Sequence, residues 1–562
     1  MLKQKLLAII LAVSCVVSLT ACGADAEQSD EAVLNENTIQ ESPADFPMEL
    51  PAELNGQNIP EEISVAEFDE DDLKETYTNS DVMDLSGYSG RAVISGGGTY
   101  ELTGDLDGQL YIDAGDGVVH LILNNVNIKC DNSAAIYVKK AQKVIITLSD
   151  GTTNTLNDGT SYVYDDAENE EPNAALYSKA DLTINGTGTL VVNSNFNNGI
   201  RSNDLLKLVN GNIFVTAVNN AITGKDGILI KDGNYSINAG NHGIKATKEE
   251  DDERGYLVIY GGTFDIKSEE DGLHAINDIY IKGGVINISA GDDGIHSDGN
   301  LVISDGNIKV DDSYEGLEGE NVWLNGGTIC VTAADDGINS AGGTDVTDGN
   351  RTKDSFRGGS DTHVYINDGT IYVNADGDGI DSNGSIFMSG GNITVYGPVN
   401  AGNGAIDYEQ GMSLTGGTLI AVGSSGMACA PTSTENQSFV MANVQGNAGS
   451  VISVSDESGK VLLTFTTEKS FSNVVISTAG IEEGKTYYIT SDQGENVACT
   501  AGEGTAGMGG FGPGGHGGMG EFGPGERGDK GEFTPGENGS MGQFEPGNRG
   551  GEFGGQKDFN KN

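Results

Sequence analysis

Basic residues are scarce in this chain. Lys and Arg number 30 against 84 Asp and Glu in 562 residues, a formal charge of −54. So acidic a balance excludes nucleic acid and anionic membrane surfaces as partners and favours cations. Tryptophan occurs once, at Trp323, and proline 11 times. Six cysteines are present, with no Cys/His spacing of a zinc module. Cys130, Cys330, Cys429 and Cys499 lie beyond the N-terminal segment and allow three pairings. Cys429 with Cys499 is the cheapest pairing, and four free thiols is the alternative. Glycine, at 85, is what the chain has in plenty, and it fits tight turns and a low-complexity tail.

The glycines are periodic. The stretch Asp292-Asp293-Gly294-Ile295-His296-Ser297 recurs, and its central residue runs Gly199, Ala221, Gly243, Gly272, Gly294, Gly316, Gly337, Gly379 and Gly404. Several steps are 22 residues (199 to 221, 221 to 243, 272 to 294, 294 to 316) and one is 21 (316 to 337). Longer steps hold inserts at 248–254 and 342–363. Within each repeat, apolar-x-apolar runs alternate with Gly turns, as in Leu301-Val302-Ile303 and Ile308-Lys309-Val310. Short alternation is a strand signal. Three short strands per 22 residues form one coil of a parallel β-helix, and a unit so small must stack to bury its apolar face. The expectation is an all-β, right-handed, single-stranded parallel β-helix with a small C-terminal β cap.

Residues 1–21 read as an export signal, with Lys3 and Lys5 before a short apolar run. Leu19-Thr20-Ala21-Cys22 resembles a bacterial lipobox, which implies lipid attachment at Cys22 and a place on the outer face of the cell membrane, held by that anchor alone. Residues 22–72 are acidic and read as a disordered spacer, with order beginning around 68–73. The β-helix is assigned to 73–430 and the cap, which closes an open solenoid end, to 431–500. Residues 501–562 are Gly/Pro/Phe-rich, and since Pro and Gly at that density cannot hold a core they read as a disordered tail. A monomer is expected.

Stacking turns sequence spacing into columns one strand spacing apart, about 4.7–4.9 Å. The residue before each repeat glycine gives Asp271, Asp293, Glu315, Asp336 and Asp378, with Asp292 and Asp335 preceding two of them. Two positions after the glycine lie His274, His296, Glu318, Asn339 and Asp381, and Asp376 is close by. Two carboxylates at that spacing repel by roughly 3.5 kcal/mol at an effective dielectric near 20, so the ladder needs protons, hydration or a cation. Carboxylate, amide and carbonyl oxygens without thiolates suit Ca²⁺. The metal candidates are therefore Asp271, Asp292, Asp293, Glu315, Asp335, Asp336, Asp376, Asp378 and Asp381. The plainer reading, that Asp-Gly is a turn former, explains single aspartates but not doubled ones.

On the second strand, an outward position reads Tyr280, Val302, Trp323, Tyr365 and Phe387. An exposed aromatic stripe suits stacking on sugar rings, and these aromatics are the carbohydrate-binding candidates. The alternative is aromatics covered by an insert.

With these features the chain resembles the calcium-binding parallel β-helix carbohydrate-binding lipoproteins of Firmicutes, whose fold is similar to that of pectate lyases. The resemblance rests on Cys22, on Ile145-Ile146-Thr147-Leu148-Ser149-Asp150-Gly151-Thr152-Thr153-Asn154-Thr155-Leu156, on the repeated Asp-Asp-Gly-Ile-x-Ser, and on residues 471–477, and it covers roughly 68–497. It implies Ca²⁺ as cofactor and binding of plant cell-wall polysaccharide, cellulose or acidic glycans such as polygalacturonate. The rival is a Ca²⁺-dependent polysaccharide lyase, in which Lys245 or Arg201 in the outward column supplies the base. A structural surface adhesin is the third reading.

Overall fold

A computed structural model of the chain describes residues 65–504, apart from positions 78–79, 167, 169, 249–252, 341–361 and 495. The export signal, Cys22, most of the expected spacer, the insert up to residue 361 and the tail beyond 504 lie outside the described residues.

The fold is the expected parallel β-helix. Equivalent strands pair in parallel from coil to coil, as in Leu273↔Ile295 and Ile295↔Leu317, each 22 residues on. Each coil contributes three strand positions and therefore three faces. The motif face carries the Gly-Ile-x-Ser strands, such as Ile338–Ser340. The second face carries strands such as His363–Ile366, and the third carries strands such as Thr370–Ala375. Inward side chains along all three form one continuous apolar core, including Ile279, Leu301, Val322 and Ile386, all fully buried. At about 25 cal/mol per Å² of buried apolar surface, this stacked core is the chief stabiliser of the fold. Ser297, Ser340 and Ser382 point inward and satisfy their hydroxyls on backbone carbonyls, so they belong to the core as the sequence implied.

The repeat glycine has a steric cause. A Cβ at Gly316 would lie 2.2 Å from a Val331 methyl and 2.3 Å from the Gly337 carbonyl oxygen. Strand packing one coil ahead leaves that position no room. Gly306, at the turn into the third strand, has φ +124°, where only glycine sits without strain.

The last coil is closed by antiparallel pairing. Thr418–Gly423 pairs with Asn473–Ser477, which pairs in turn with Phe439–Ala442. A separate four-stranded antiparallel sheet packs beyond it, around Ile452, Val454, Phe465 and Ile489. The open edge is thus removed. Cys130, Cys330, Cys429 and Cys499 are all free thiols, so the Cys429–Cys499 pairing is not formed.

Residues 65–72, assigned to the end of the spacer, are part of the fold. Asp72 is fully buried and bonds Lys143 at 2.6 Å, Lys207 at 2.7 Å and the Thr183 hydroxyl at 2.5 Å. Higher up, the Ala66 amide donates to the Tyr256 hydroxyl at 3.1 Å, and Phe68 packs edge-on against Tyr260. This segment runs along the second face as a strap.

Candidate functional site

Burial corrects the aromatic platform. Tyr280 is 4% exposed and Trp323 5%, and both belong to an apolar cluster with Leu229, Val258, Val65 and Phe68. Trp323 stacks on Tyr365 at 4.8 Å, and Tyr365 on Phe387 at 5.1 Å. The stripe exists, but at Tyr280 and Trp323 it is packing surface and not an open platform. Trp323→Ala is therefore expected to cost stability, about 3–5 kcal/mol. Alternation gave the outward phase correctly; the strap that meets this face at Tyr256 comes from 190 positions earlier in the chain.

The third face is the open one. A shallow groove of about 430 Å³ crosses it, lined by Phe214, Ser236, Asp265, Asn287 and Lys309 among others. Those five occupy one outward column, in register from coil to coil. Phe214 is 46% exposed. The neighbouring outward column reads Asn212, Asn234, Thr263, Val285 and Asn307. Sequence reading passed over this face because its outward residues are mostly small and polar; Phe214 was the available signal.

The acidic columns lie at the turn between the third face and the motif face. Column one reads His242, Asp271, Asp293, Glu315, Asp336 and Asp378, and column two reads Lys245, His274, His296, Glu318, Asn339 and Asp381. Column one has a structural task. The Asp271 carboxylate accepts the Asp293 amide at 3.1 Å, Asp293 accepts that of Glu315 at 3.3 Å, and Asp336 accepts that of Asp378 at 2.5 Å. Each carboxylate caps the next coil's turn, which is why Asp and Asn recur there.

That task does not neutralise the charge. Asp271, Asp293, Glu315, Glu318 and Asp336 are all buried. Burial, reinforced by Asp378 and Asp381, pushes the Asp336 carboxyl up to about 9. Burial also raises Asp378, to about 7, with Asp381 and Asp407 adding to it. Burial and the neighbouring Glu318 and Asp293 push Glu315 well up. Burial holds His274 down at about 4, so it is neutral. His296 is the exception: burial opposes its charge, but Glu318 and Asp293 outweigh burial and raise it well above the usual imidazole range.

The columns divide by donor type. Between Glu315 and Asp381 every donor is oxygen. Asn339 is fully buried; its Nδ2 donates to Glu315 at 2.7 Å, while its Oδ1 has no hydrogen-bond partner among the described residues. An orphaned carbonyl among carboxylates fits a hard cation such as Ca²⁺. Asp335 lies half-buried beside Asp336, and a Cβ at Gly377 would meet carboxylate oxygens of both. Asp376 is exposed and bonds Lys469 at 2.9 Å. Between His242 and Glu318, imidazoles enter. Among the described residues, three ligand-type atoms gather within 4.8 Å in two places, His242/Asp271/His274 and Asp293/His296/Glu318. Asp271 and Asp293 of the calcium candidates thus stand beside nitrogen donors, and Asp292 lies half-buried next to Asp293. Lys245 adjoins His274 in column two, as the stacking predicts, with its amine 2.8 Å from His242 Nε2. Arg201 stands two coils earlier and bonds Asn203 at 3.0 Å.

Fold and turns together define a parallel β-solenoid with a polar sheet face bordered by a buried acid ladder. A family model described as carbohydrate-binding domain-containing protein matches residues 89–355 and 292–397, together more than half of the chain. The chain belongs to that family. A carbohydrate-binding domain-containing protein of Acetivibrio thermocellus is 44% identical over 142 residues, 25% of this chain and 50% of that protein. The chain thus spans half the length of that relative. The solved structure of the polysaccharide lyase-like protein from C. thermocellum, a gadolinium derivative, is 37% identical and covers 40% of this chain and 95% of that one, with a TM-score of 0.38. At that score the superposition carries no structural argument.

Proposed function

We propose that the chain is a cell-surface lipoprotein, anchored at Cys22, that binds plant cell-wall polysaccharide in a Ca²⁺-dependent way. The ligand class is cellulose or an acidic pectic glycan. The observation that carries this reading is the third-face column, where exposed Phe214 lies in line with Ser236, Asp265, Asn287 and Lys309. An aromatic offers a stacking surface for a sugar ring, and the side chains beyond it offer hydrogen bonds to hydroxyls. An acidic protein holds an acidic glycan only through cations. The oxygen-only half of the ladder, Glu315, Asp335, Asp336, Asp378 and Asp381, borders this face from the coil of Lys309 onward, toward its C-terminal end, and there offers a seat for Ca²⁺ to a glycan that runs along the face.

The test is a glycan array in chelator and again with Ca²⁺, run beside an assay for unsaturated product from polygalacturonate. Binding should vanish in chelator and return with Ca²⁺, and Phe214→Ala should weaken it several-fold. Binding that ignores both chelator and Phe214→Ala would overturn the reading. Unsaturated product that disappears in Lys245→Ala would instead establish the lyase.

A further inference from the structure

The histidine-bearing half of the ladder does not fit Ca²⁺, and its geometry is that of a different site. His296 is fully buried, with Nδ1 2.9 Å from Asp293 Oδ2 and 2.6 Å from Glu318 Oε2. Its other ring nitrogen, Nε2, lies 3.0 Å from Asp298 Oδ1. Donation of the Nε2 proton to Asp298 leaves the Nδ1 lone pair aimed between two buried carboxylates. That arrangement is repulsive unless a proton or a metal ion stands at Nδ1. A carboxylate behind a ligating histidine is the usual way a protein fixes tautomer and ring orientation at a metal. Asp293 is held as well, since its second oxygen accepts the Glu315 amide at 3.3 Å.

A second, independent observation points the same way. Next to this cluster in column two, a buried residue carries an orphaned polar atom. His274 Nε2 has no hydrogen-bond partner among the described residues, and its ring stacks on His296 at 4.9 Å with 4° between the planes.

We propose that Asp293, His296 and Glu318 bind a divalent first-row transition ion of the Zn²⁺ class, with Asp298 as the positioning residue. One imidazole nitrogen and two carboxylate oxygens suit such an ion, whereas Ca²⁺ takes oxygen alone. The ion takes the place of the proton at Nδ1 and offsets the charge of the two acids. The site is independent of the glycan reading, and either can fail without the other.

Co²⁺ is the probe. The full chain, stripped in chelator, is dialysed against Co²⁺; bound metal is counted by elemental analysis and its visible absorption recorded. One Co²⁺ per chain is expected, with no thiolate charge-transfer band. His296→Gln should abolish it. Asp298→Asn should weaken it 10–100-fold while circular dichroism stays that of the parent. His242→Gln should leave it in place. Failure to take up Co²⁺ would overturn the proposal, as would retention in His296→Gln, a thiolate band, or loss that follows His242→Gln instead.

Discussion

The two halves of the acid ladder share one backbone and differ in what stands in it. Toward the N-terminus, Asp271 and Asp293 face imidazoles, and without a metal the proton of His296 is favoured by Glu318 and Asp293 on either side of Nδ1. Toward the C-terminus, Asp336 and Asp378 face other oxygens and are pushed up to about 9 and about 7. The same turn solves the same charge problem twice, once with a built-in cation and once with protons. Both solutions are open to exchange, because a metal ion can replace protons, and the donor atoms of each half decide which ion.

The comparison is most easily broken by removing its centre. In metal-free protein, His296→Ala leaves Asp293 and Glu318 buried without a counter-charge and should cost about 3–5 kcal/mol in urea unfolding. Asn339→Ala, in the oxygen half of the same column, removes one hydrogen bond to Glu315 and should cost about 1–2 kcal/mol. Equal costs would mean that the halves do not differ.

Calcium sharpens the contrast. At about a hundred times its Kd, Ca²⁺ should stabilise the chain by about 2.7 kcal/mol. This gain should persist in His296→Gln and vanish when Asp336 and Asp378 are both changed to Asn. A thermal melt of each variant with and without Ca²⁺ reads it.

The pH response of metal-free protein is the smaller effect, and its sign differs between halves. Asp336 and Asp378 keep protons in the folded chain that the unfolded chain releases above 3.8. Their contribution is full below that pH and is lost as pH rises, up to about 7 for Asp378 and about 9 for Asp336. His274 acts oppositely: the unfolded imidazole takes a proton near 6.5 and the folded one only near 4, so stability falls as pH drops through that window. Melts across pH should show Asp336→Asn flattening the alkaline limb and His274→Gln the acid limb.

Much of this was legible in the sequence, and the reason is steric. A repeat glycine that cannot accept a Cβ, followed by Ile and an inward Ser, forces one register, so the columns follow from sequence spacing. The acid ladder followed from that register alone. The burial of Tyr280 and Trp323 did not, because the apolar cluster they share with Val65 and Phe68 joins segments that have no common period. The metal-type cluster at His296 was half legible. Asp293, His296 and Asp298 lie within six residues, but Glu318 joins them only through stacking, and the weight of aspartates drew attention to oxygen donors.

Two cation sites of different chemistry on one ladder should each stabilise the chain separately. Thermal melts of the stripped full chain with Ca²⁺ alone, Co²⁺ alone and both together test it most directly. The two stabilisations should add when both ions are present. Stabilisation by both no greater than by the stronger ion alone would show that they compete for one site, and would contradict it.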